Sequence, residues 1–183
     1  MKAGVLALQG DFREHARMFA ECGVTPILVR TTDDLASVDC LAIPGGESTA
    51  IGRLARVYGL VEPIKERIAR GMPVFGTCAG MIVLARTVPG GPPLLDMLDI
   101  EVERNAYGRQ VDSFEADVDV RGVGPVRGVF IRAPKVGEVG KGVNVLAEHD
   151  GRPVVVEQGR VLAASFHPEM AGDPRLHERL LAS

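Results

Sequence analysis

Residues 72–86 read MPVFGTCAGMIVLAR, and this stretch decides the fold class. An apolar strand over Met72–Phe75 runs into the motif GTCAG at residues 76–80, and an apolar helix over Met81–Arg86 follows. This order is that of a nucleophile elbow, G-x-S-x-G, with cysteine in the place of serine. Such a turn directs its central side chain, here Cys78, into the crevice beyond the carboxyl ends of parallel strands, where open α/β sheets bind ligands.

Apolar strands alternate with helical patterns on the N-terminal side of this motif. Strands are predicted at Ala3–Leu8, Thr25–Val29 and Cys40–Ile43, and helices at Phe12–Cys22, Thr32–Ser37, about Ser48–Tyr58 and Val61–Arg70. Ser48 is the predicted cap of the third of these helices. Strands that alternate with helices form parallel sheets covered on both faces.

The C-terminal half is predicted to contain mostly strands. They are predicted at Ile100–Glu103, Phe114–Val120, Val126–Ile131, Val143–Glu148, Pro153–Glu157 and Val161–Ser165, before a final helix at about Pro174–Leu181. Asp150-Gly151 and Gln158-Gly159 are typical of hairpin turns. We therefore expect an α/β fold with a mainly parallel sheet, added antiparallel strands and a single domain over residues 1–183.

Composition narrows the possible functions. The chain has 183 residues, 46% of them hydrophobic, and a net charge of −3, which does not suit nucleic-acid binding. No apolar run reaches membrane-spanning length, and the N-terminal apolar run is too short for a signal peptide. The three cysteines suggest neither a disulfide framework nor a zinc site. We expect a cytoplasmic protein without a metal or an organic cofactor.

Cys78 is the candidate nucleophile. Small neighbours allow a strained turn, and the N–H groups of the following helix favour a thiolate and stabilise an adjacent anion. Taken alone, Cys78 fits a buried structural cysteine equally well. Cys22 ends a helix pattern and Cys40 lies in a strand, so both are assigned to the core.

His167 is the candidate base, because it follows an apolar strand in the segment Ser165-Phe166-His167-Pro168-Glu169. Pro168 favours an extended His167. Residues i and i+2 of an extended segment point the same way, so Glu169 can orient the imidazole in a Cys–His–Glu triad. A solvated loop histidine beside a surface carboxylate is the alternative for this segment by itself.

Donors for an oxyanion are predicted at the N–H groups of Ala79 and Gly46. Gly46 lies in the loop 44–48, PGGES, which taken alone is more typical of an ordinary strand–helix turn. Arg104 and Arg132 each follow an apolar strand, and either could pair with a substrate carboxylate.

Six segments together resemble the glutaminase subunit of pyridoxal 5'-phosphate synthase, a class I glutamine amidotransferase family. The segments are GVLALQGDFREH, PGGEST, GTCAGM, ERNAYGRQVDSFE, VFIRAP and SFHPE, between about residues 4 and 169. GTCAG and HPE alone indicate only the superfamily, whereas the other segments indicate the narrower family.

The resemblance implies a three-layer α/β/α flavodoxin-like fold and hydrolysis of L-glutamine to glutamate and ammonia. It implies that Cys78, His167 and Glu169 form the triad. The glutamine site would be lined by Gly46, Glu47, Ser48, Arg104, Ile131 and Arg132. The ammonia would pass to a barrel-shaped synthase subunit, in assemblies that pair twelve glutaminase subunits with twelve synthase subunits.

Two other classes of function remain open at this point. One is another enzyme of the same fold, such as a DJ-1/PfpI-like cysteine hydrolase or a glutaminase of a different pathway. The other is a non-enzymatic scaffold subunit that carries a relic site. Glutamate release from glutamine, and labelling of Cys78 by a glutamine-analogue electrophile, would separate these alternatives.

Overall fold

The computed structural model describes residues 1–104 and 113–183. The helices there are α1 (Phe12–Glu21), α2 (Thr32–Ala36), α3 (Ser48–Val57), α4 (Val61–Ala69), α5 (Ala79–Leu84) and α6 (Arg175–Leu181). The strands are β1 (Ala3–Leu6), β2 (Ile27–Val29), β3 (Cys40–Ile43), β4 (Val74–Thr77), β5 (Ala85–Thr87), β6 (Leu98–Glu103), β7 (Phe114–Val120), β8 (Gly124–Phe130), β9 (Lys135–Val139), β10 (Asn144–His149), β11 (Arg152–Gln158) and β12 (Val161–Ala164).

The main sheet has seven strands in the order β10-β11-β12-β4-β3-β1-β2. The five strands from β12 to β2 are parallel, and β11 and β10 extend this sheet as antiparallel strands. In register, Ala164 pairs with Thr77 and Ile43 pairs with Gly76. The carboxyl ends of β12, β4 and β3 therefore meet at one edge, where the loops that follow them come together.

Apolar side chains cover both faces of this sheet, which explains the fully buried central strands. One core contains Leu35, Ile51 and Ile64 from α2, α3 and α4. The other contains Phe19 of α1 and Leu176 of α6. The predicted α/β/α architecture, with a mainly parallel sheet and added antiparallel strands, is confirmed.

Two short strands, β5 and β9, were missed by the sequence prediction. β5 pairs with β6, which in turn pairs with β9, so the region after α5 forms a separate three-stranded sheet. The helix predicted to continue to Arg86 ends at Leu84 instead. Lys135–Val139 contains a glycine and two charged residues, which weakens its strand pattern. β7 and β8 form a hairpin ribbon.

The start of α3 also differs from the prediction. Ser48 was expected to cap this helix, but Glu47 is the N-cap residue, and its carboxylate accepts hydrogen bonds from the N–H groups of Thr49 and Ala50 at 2.9 and 2.6 Å. A carboxylate satisfies the free N–H groups of a first turn and interacts favourably with the helix dipole. None of the helices in residues 1–104 and 113–183 has the length and apolarity needed to cross a membrane.

Gly80 permits the close contact of α5 with β3. A Cβ atom at Gly80 would lie 2.1 Å from the carbonyl oxygen of Ile43, and one at Gly76 would lie 2.7 Å from the backbone of Gly80. Backbone atoms in a sheet cannot move aside as a flexible side chain can. Gly76 and Gly80, two residues on either side of Cys78, are therefore both required by packing.

We predict that Gly80→Ala lowers the free energy of unfolding by about 3 kcal/mol, because overpacking against backbone forces α5 away from the sheet. Urea denaturation followed by circular dichroism measures this change. Gly91→Ala is the matched control, since a Cβ atom there meets nothing within 4 Å and the residue has no positive φ. Equal stability of the two variants would contradict the packing argument.

Candidate active site

Cys78 lies in the turn between β4 and α5 with a strained backbone. Its φ is +48° and its ψ is −103°, a conformation that L-residues rarely adopt. The Cys78 N–H donates a 2.8 Å hydrogen bond to the carbonyl oxygen of Ala164 at the end of β12, which ties the turn to the neighbouring strand. The side chain is nearly buried but lines a cavity.

The other two cysteines have different surroundings. Cys40 is fully buried in β3, and burial raises the pKa of its thiol to about 11. Cys22 was assigned to the core, but it is only partly buried at the end of α1. Burial, together with the nearby carboxylates of Glu178 and Glu21, raises the pKa of the Cys22 thiol. These surroundings disfavour a thiolate at both positions.

His167 follows β12 and is attached to β8 through its backbone. Its N–H donates to the carbonyl oxygen of Val129 at 2.9 Å, and its carbonyl oxygen accepts from the Val129 N–H at 3.2 Å. This pair fixes the peptide, so the imidazole reaches the end of β4, where Cys78 lies. The side chain is 5% exposed and contributes to the same cavity wall as Cys78.

Glu169 lies behind the imidazole and is fully buried. Its Oε1 is 2.7 Å from Nδ1 of His167. Pro168 begins a tight turn, in which its carbonyl oxygen accepts from the N–H groups of Ala171 and Asp173 at 3.1 and 3.0 Å. The structure thus brings Cys78, His167 and Glu169 to one place, from the ends of two adjacent parallel strands.

Asp11 is a second carboxylate at the imidazole, and the sequence analysis did not identify it. Its Oδ2 is 2.8 Å from Nδ1 of His167, although this nitrogen carries only one hydrogen. Asp11 follows β1, so the only signal in the sequence was an acidic residue beyond a strand that is parallel to β3. A Cβ at Gly45 would lie 2.2 Å from Cε1 of His167, so glycine there lets the ring lie beside Asp11.

The two carboxylates and the thiol control the protonation of His167. Burial alone would lower the pKa of this imidazole, but hydrogen bonds to Asp11, Cys78 and Glu169 outweigh burial and raise it well above its usual value. Burial opposes ionisation of Asp11 as well, yet its hydrogen bond to His167 lowers its pKa from 3.8 to about 2. The site therefore stabilises an imidazolium between carboxylates and a thiol.

A cavity of about 440 Å³ opens in front of Cys78 and His167. It is lined by residues from the loops at the carboxyl ends of the strands and from the segment after β8: Gln9, Asp11, Gly46, Glu47, Ser48, Cys78, Ile82, Arg104, Ile131, Arg132, His167 and Met170. All six residues predicted to line a glutamine site are in this set. Ala79, in the first turn of α5, and Glu169, on the far side of the imidazole, are not among the residues that line the cavity.

The charged side chains that line this cavity are two arginines, the carboxylates of Asp11 and Glu47, and the imidazole of His167. Arg104 donates a 3.3 Å hydrogen bond to Thr49, and Arg132 has a strained backbone with a φ of +45°. The carboxylate of Glu47 caps α3, and its pKa is lowered by hydrogen bonds from the Thr49 and Ala50 N–H groups. Glu47 is engaged with the helix, and Asp11 is engaged with His167. The arginines are therefore the groups available to an anionic ligand.

Gly46 lines the same cavity as Cys78, and Ala79 directly follows Cys78 in the chain. Gly46 has a φ of +137°, and a Cβ atom there would lie 2.6 Å from the side-chain oxygen of Gln9. The same Gln9 oxygen accepts from the N–H of Glu47 at 2.9 Å. The segment after β1 is thus packed directly against the glycine loop. The Ala79 N–H begins α5, where N–H groups lack acceptors within the helix.

Asp11, His167 and Glu169 could also offer three ligand atoms within 4.8 Å of one another to a metal ion. In this structure Nδ1 of His167 is already within hydrogen-bonding distance of both carboxylates. Residues 105–112, which include most of the predicted ERNAYGRQVDSFE motif, lie outside the described residues.

We predict that Asp11→Asn makes His167 lose its proton at lower pH than in the wild type, because one of its two carboxylate partners is neutralised. Histidine-selective NMR titration measures this change. Near pH 6 the substitution should also lower the free energy of unfolding by about 2 kcal/mol. Asp11 has a depressed pKa, so its contribution to the free energy of unfolding is complete above pH 3.8 and is lost as the pH falls through about 2.

Asp33→Asn is the control for this experiment, because it removes the same charge from an exposed position in α2. It should leave the His167 titration unchanged and alter stability by less than about 0.5 kcal/mol. An identical His167 titration in wild type and Asp11→Asn would show that Asp11 does not act on this imidazole.

Comparison with known proteins gives consistent matches over the whole chain. The model of the SNO glutamine amidotransferase family matches residues 5–182. A relative from Frankia casuarinae, named "Pyridoxal 5'-phosphate synthase subunit PdxT", is 56% identical and covers 100% of this chain and 94% of its own length. A relative of the same name from Thermus thermophilus is 55% identical, over 97% of this chain and 95% of its own.

Solved structures agree with these matches. A crystal structure described as a glutamine amidotransferase has 51% sequence identity and a TM-score of 0.95, and the match covers 100% of this chain and 98% of that chain. The structure of PurLQS from Thermotoga maritima has a TM-score of 0.73 at 18% identity and covers 100% and 99%, so it shares the fold. The family match over residues 5–182 and the relatives above 50% identity show that this chain belongs to the SNO glutamine amidotransferase family.

Proposed function

We propose that this protein hydrolyses L-glutamine to L-glutamate and ammonia through Cys78, His167 and Glu169, and that the ammonia serves pyridoxal 5'-phosphate synthesis. One observation carries the proposal: a cysteine on a strained elbow shares a cavity wall with a histidine whose Nδ1 is 2.7 Å from a buried glutamate. The match to the SNO glutamine amidotransferase family supports this substrate, and the names of relatives above 50% identity support the pathway.

The first half of the reaction forms a thioester. His167 holds the proton taken from Cys78, and the thiolate attacks the side-chain amide carbon of glutamine. The N–H groups of Ala79 and Gly46 stabilise the resulting oxyanion. When the C–N bond breaks, the imidazolium protonates the departing nitrogen, which leaves as ammonia. The raised pKa of His167 supports the charged imidazole from which this cycle starts.

The second half releases glutamate. Neutral His167 takes a proton from water, the hydroxide attacks the thioester carbon, and the C–S bond breaks to return the Cys78 thiolate. The imidazolium formed in this step restores the starting charge pair. Glu169 holds Nδ1 throughout, so that Nε2 faces the reacting atoms.

The charges of the cavity support binding of an amino acid. Arg104 and Arg132 line its wall, and either can pair with the α-carboxylate of glutamine. Gly46, Glu47, Ser48 and Ile131 complete the wall around the rest of the ligand. A cavity of about 440 Å³ has room for such a small molecule with associated water.

We also propose a partner that uses the ammonia, a synthase subunit of pyridoxal 5'-phosphate synthase, in a complex of twelve subunits of each kind. Ammonia is mostly protonated in neutral water, and ammonium is not a nucleophile, so direct transfer between subunits preserves its reactivity. The names of the relatives support such a partner, because each is called a subunit of that synthase.

The main sheet and the reactive thiol bear on domain organisation and on location in the cell. We propose that the chain is one domain, because the main sheet hydrogen-bonds strands from β1 to β12. A cytoplasmic location suits a mechanism that depends on a reduced thiol, since reducing conditions protect a reactive thiolate from oxidation.

We predict that Cys78→Ala lowers glutaminase turnover by about 10⁴-fold or more, because no other group can form the thioester. Glutamate release measured with the synthase present tests this. Cys22→Ala is the control, and it should keep near-normal turnover because Cys22 lies at the end of α1, outside the cavity lining. Near-normal hydrolysis by Cys78→Ala would refute the assignment of the nucleophile.

We also predict that the isolated chain hydrolyses glutamine about a hundredfold more slowly than the chain with its synthase, because the family resemblance implies that docking completes the oxyanion hole. Glutamate and pyridoxal 5'-phosphate are measured together, with and without the synthase. An ammonium salt should restore pyridoxal 5'-phosphate formation to a complex that carries Cys78→Ala. Equal glutamine turnover with and without the synthase would contradict the activation.

A further inference from the structure

Three buried polar side chains lie behind Glu169 and have no part in the mechanism above. His15 comes from α1, Thr77 from the last position of β4 and His177 from α6, and all three are fully buried. His15 and His177 fall within the helices predicted at Phe12–Cys22 and at about Pro174–Leu181, where the sequence alone gives neither histidine a role. Burying polar groups is costly unless they are hydrogen-bonded, so their contacts require an explanation.

These side chains form a continuous hydrogen-bonded chain that ends on Glu169. Nε2 of His177 is 2.8 Å from Nδ1 of His15, and Nε2 of His15 is 3.0 Å from Oγ1 of Thr77. Thr77 Oγ1 is 3.3 Å from Oε1 of Glu169, and His15 Nε2 is 3.5 Å from the same oxygen. That oxygen is the one that contacts His167.

The chemistry of the groups fixes the direction of these hydrogen bonds. An ionised carboxylate can only accept, so the hydroxyl of Thr77 donates to Glu169. The hydroxyl oxygen then accepts from Nε2–H of His15. A neutral His15 with its hydrogen on Nε2 has a bare Nδ1, which accepts from Nε2–H of His177.

The opposite direction is less favourable at both ends. It would leave the hydrogen of His177 on Nδ1, the atom that has no hydrogen-bond partner among the described residues, and a buried unpaired donor is costly. It would also turn the lone pair of His15 Nε2 towards the carboxylate 3.5 Å away. Burial lowers the pKa of His177 well below its usual value, in keeping with a neutral ring.

We propose that His15, Thr77 and His177 are positioning residues that form a one-way donor relay and hold Oε1 of Glu169 against the imidazole of His167. The relay deepens the proposed function, and its kinetic consequences rest on that function. Without donors behind it, the Glu169 carboxylate would be free to rotate, and His167 would be left to Asp11, which is more exposed.

Charged and titratable groups approach Glu169 from several elements. His167 and Asp11 lie in front of its carboxylate, and His15 lies behind it. The guanidinium of Arg17 donates to the Glu169 backbone carbonyl at 3.3 Å, and Cys78 lies beyond the imidazole. Of these groups, only His15 belongs to the relay. A change at Thr77 therefore alters the support of Glu169 without altering the charge of the site.

Histidine-selective ¹⁵N NMR of the intact chain tests the relay without any activity measurement. We expect His15 and His177 to be neutral Nε2–H tautomers at pH 7, with resonances assigned by comparison with His15→Gln and His177→Phe. An imidazolium at His15, or an Nδ1–H tautomer at either position, would overturn the proposal. This readout also separates a failure of the relay from a failure of the proposed function, which glutamine turnover of the wild-type complex reports.

Kinetics with the synthase present test the effect on Glu169. Thr77→Val removes the hydroxyl but keeps the shape, and we expect kcat to fall about tenfold with KM within about twofold of the wild type. Loss of activity on the acid side should begin at higher pH, because the charged form of Glu169 has lost a donor. Thr77→Ser keeps the hydroxyl and should restore both the rate and the profile.

Circular dichroism and thermal unfolding establish that the two Thr77 variants are folded. The relay would be overturned if folded Thr77→Val had the wild-type kcat and an unshifted acid limb in its plot of activity against pH. An equal loss in both Thr77 variants, with no movement of the acid limb, would do the same, because it would indicate packing at this position rather than a donor.

Discussion

The strained backbone of Cys78 must be held in place for the thiol to reach the cavity. A φ of +48° at a non-glycine residue costs about 1–3 kcal/mol, and here the cost is met by a sheet that is hydrogen-bonded on both sides of β4. The N–H of Cys78 is bonded to the end of β12, and Gly80 packs on the backbone of β3. Without these attachments the thiol would not face the cavity.

Charge at the site is organised around a single imidazole. His167 is nearly buried, which by itself would favour its neutral form, but two carboxylates and a thiol surround it. One carboxylate, Glu169, is fully buried and supported from behind by donors from α1 and β4. The other, Asp11, belongs to the segment after β1, which packs on the glycine loop through Gln9. The protonation of His167 is therefore linked to the position of that segment.

Much of the architecture could be predicted because its signals are local. Fully buried parallel strands appear as short apolar runs, and the switch from alternating helices to consecutive strands indicated the antiparallel extension at β11 and β10. β5 and β9 were missed because their strand character comes from pairing with β6 rather than from their own residues. The helix cap at Glu47 was missed because two adjacent residues could serve, and the carboxylate is the better acceptor at this helix end.

Neighbouring residues were enough to predict the elbow at Cys78 and the pairing of His167 with Glu169, because strand order, glycine spacing and the i, i+2 geometry of an extended segment are local features. The contact of Asp11 with His167, and the placement of His15 and His177 behind Glu169, could be seen only once the chain was folded. These residues lie up to 162 positions apart, and their contacts arise where the ends of separate elements meet. No local pattern encodes such a meeting, because it depends on how parallel strands and the helices between them are arranged in space.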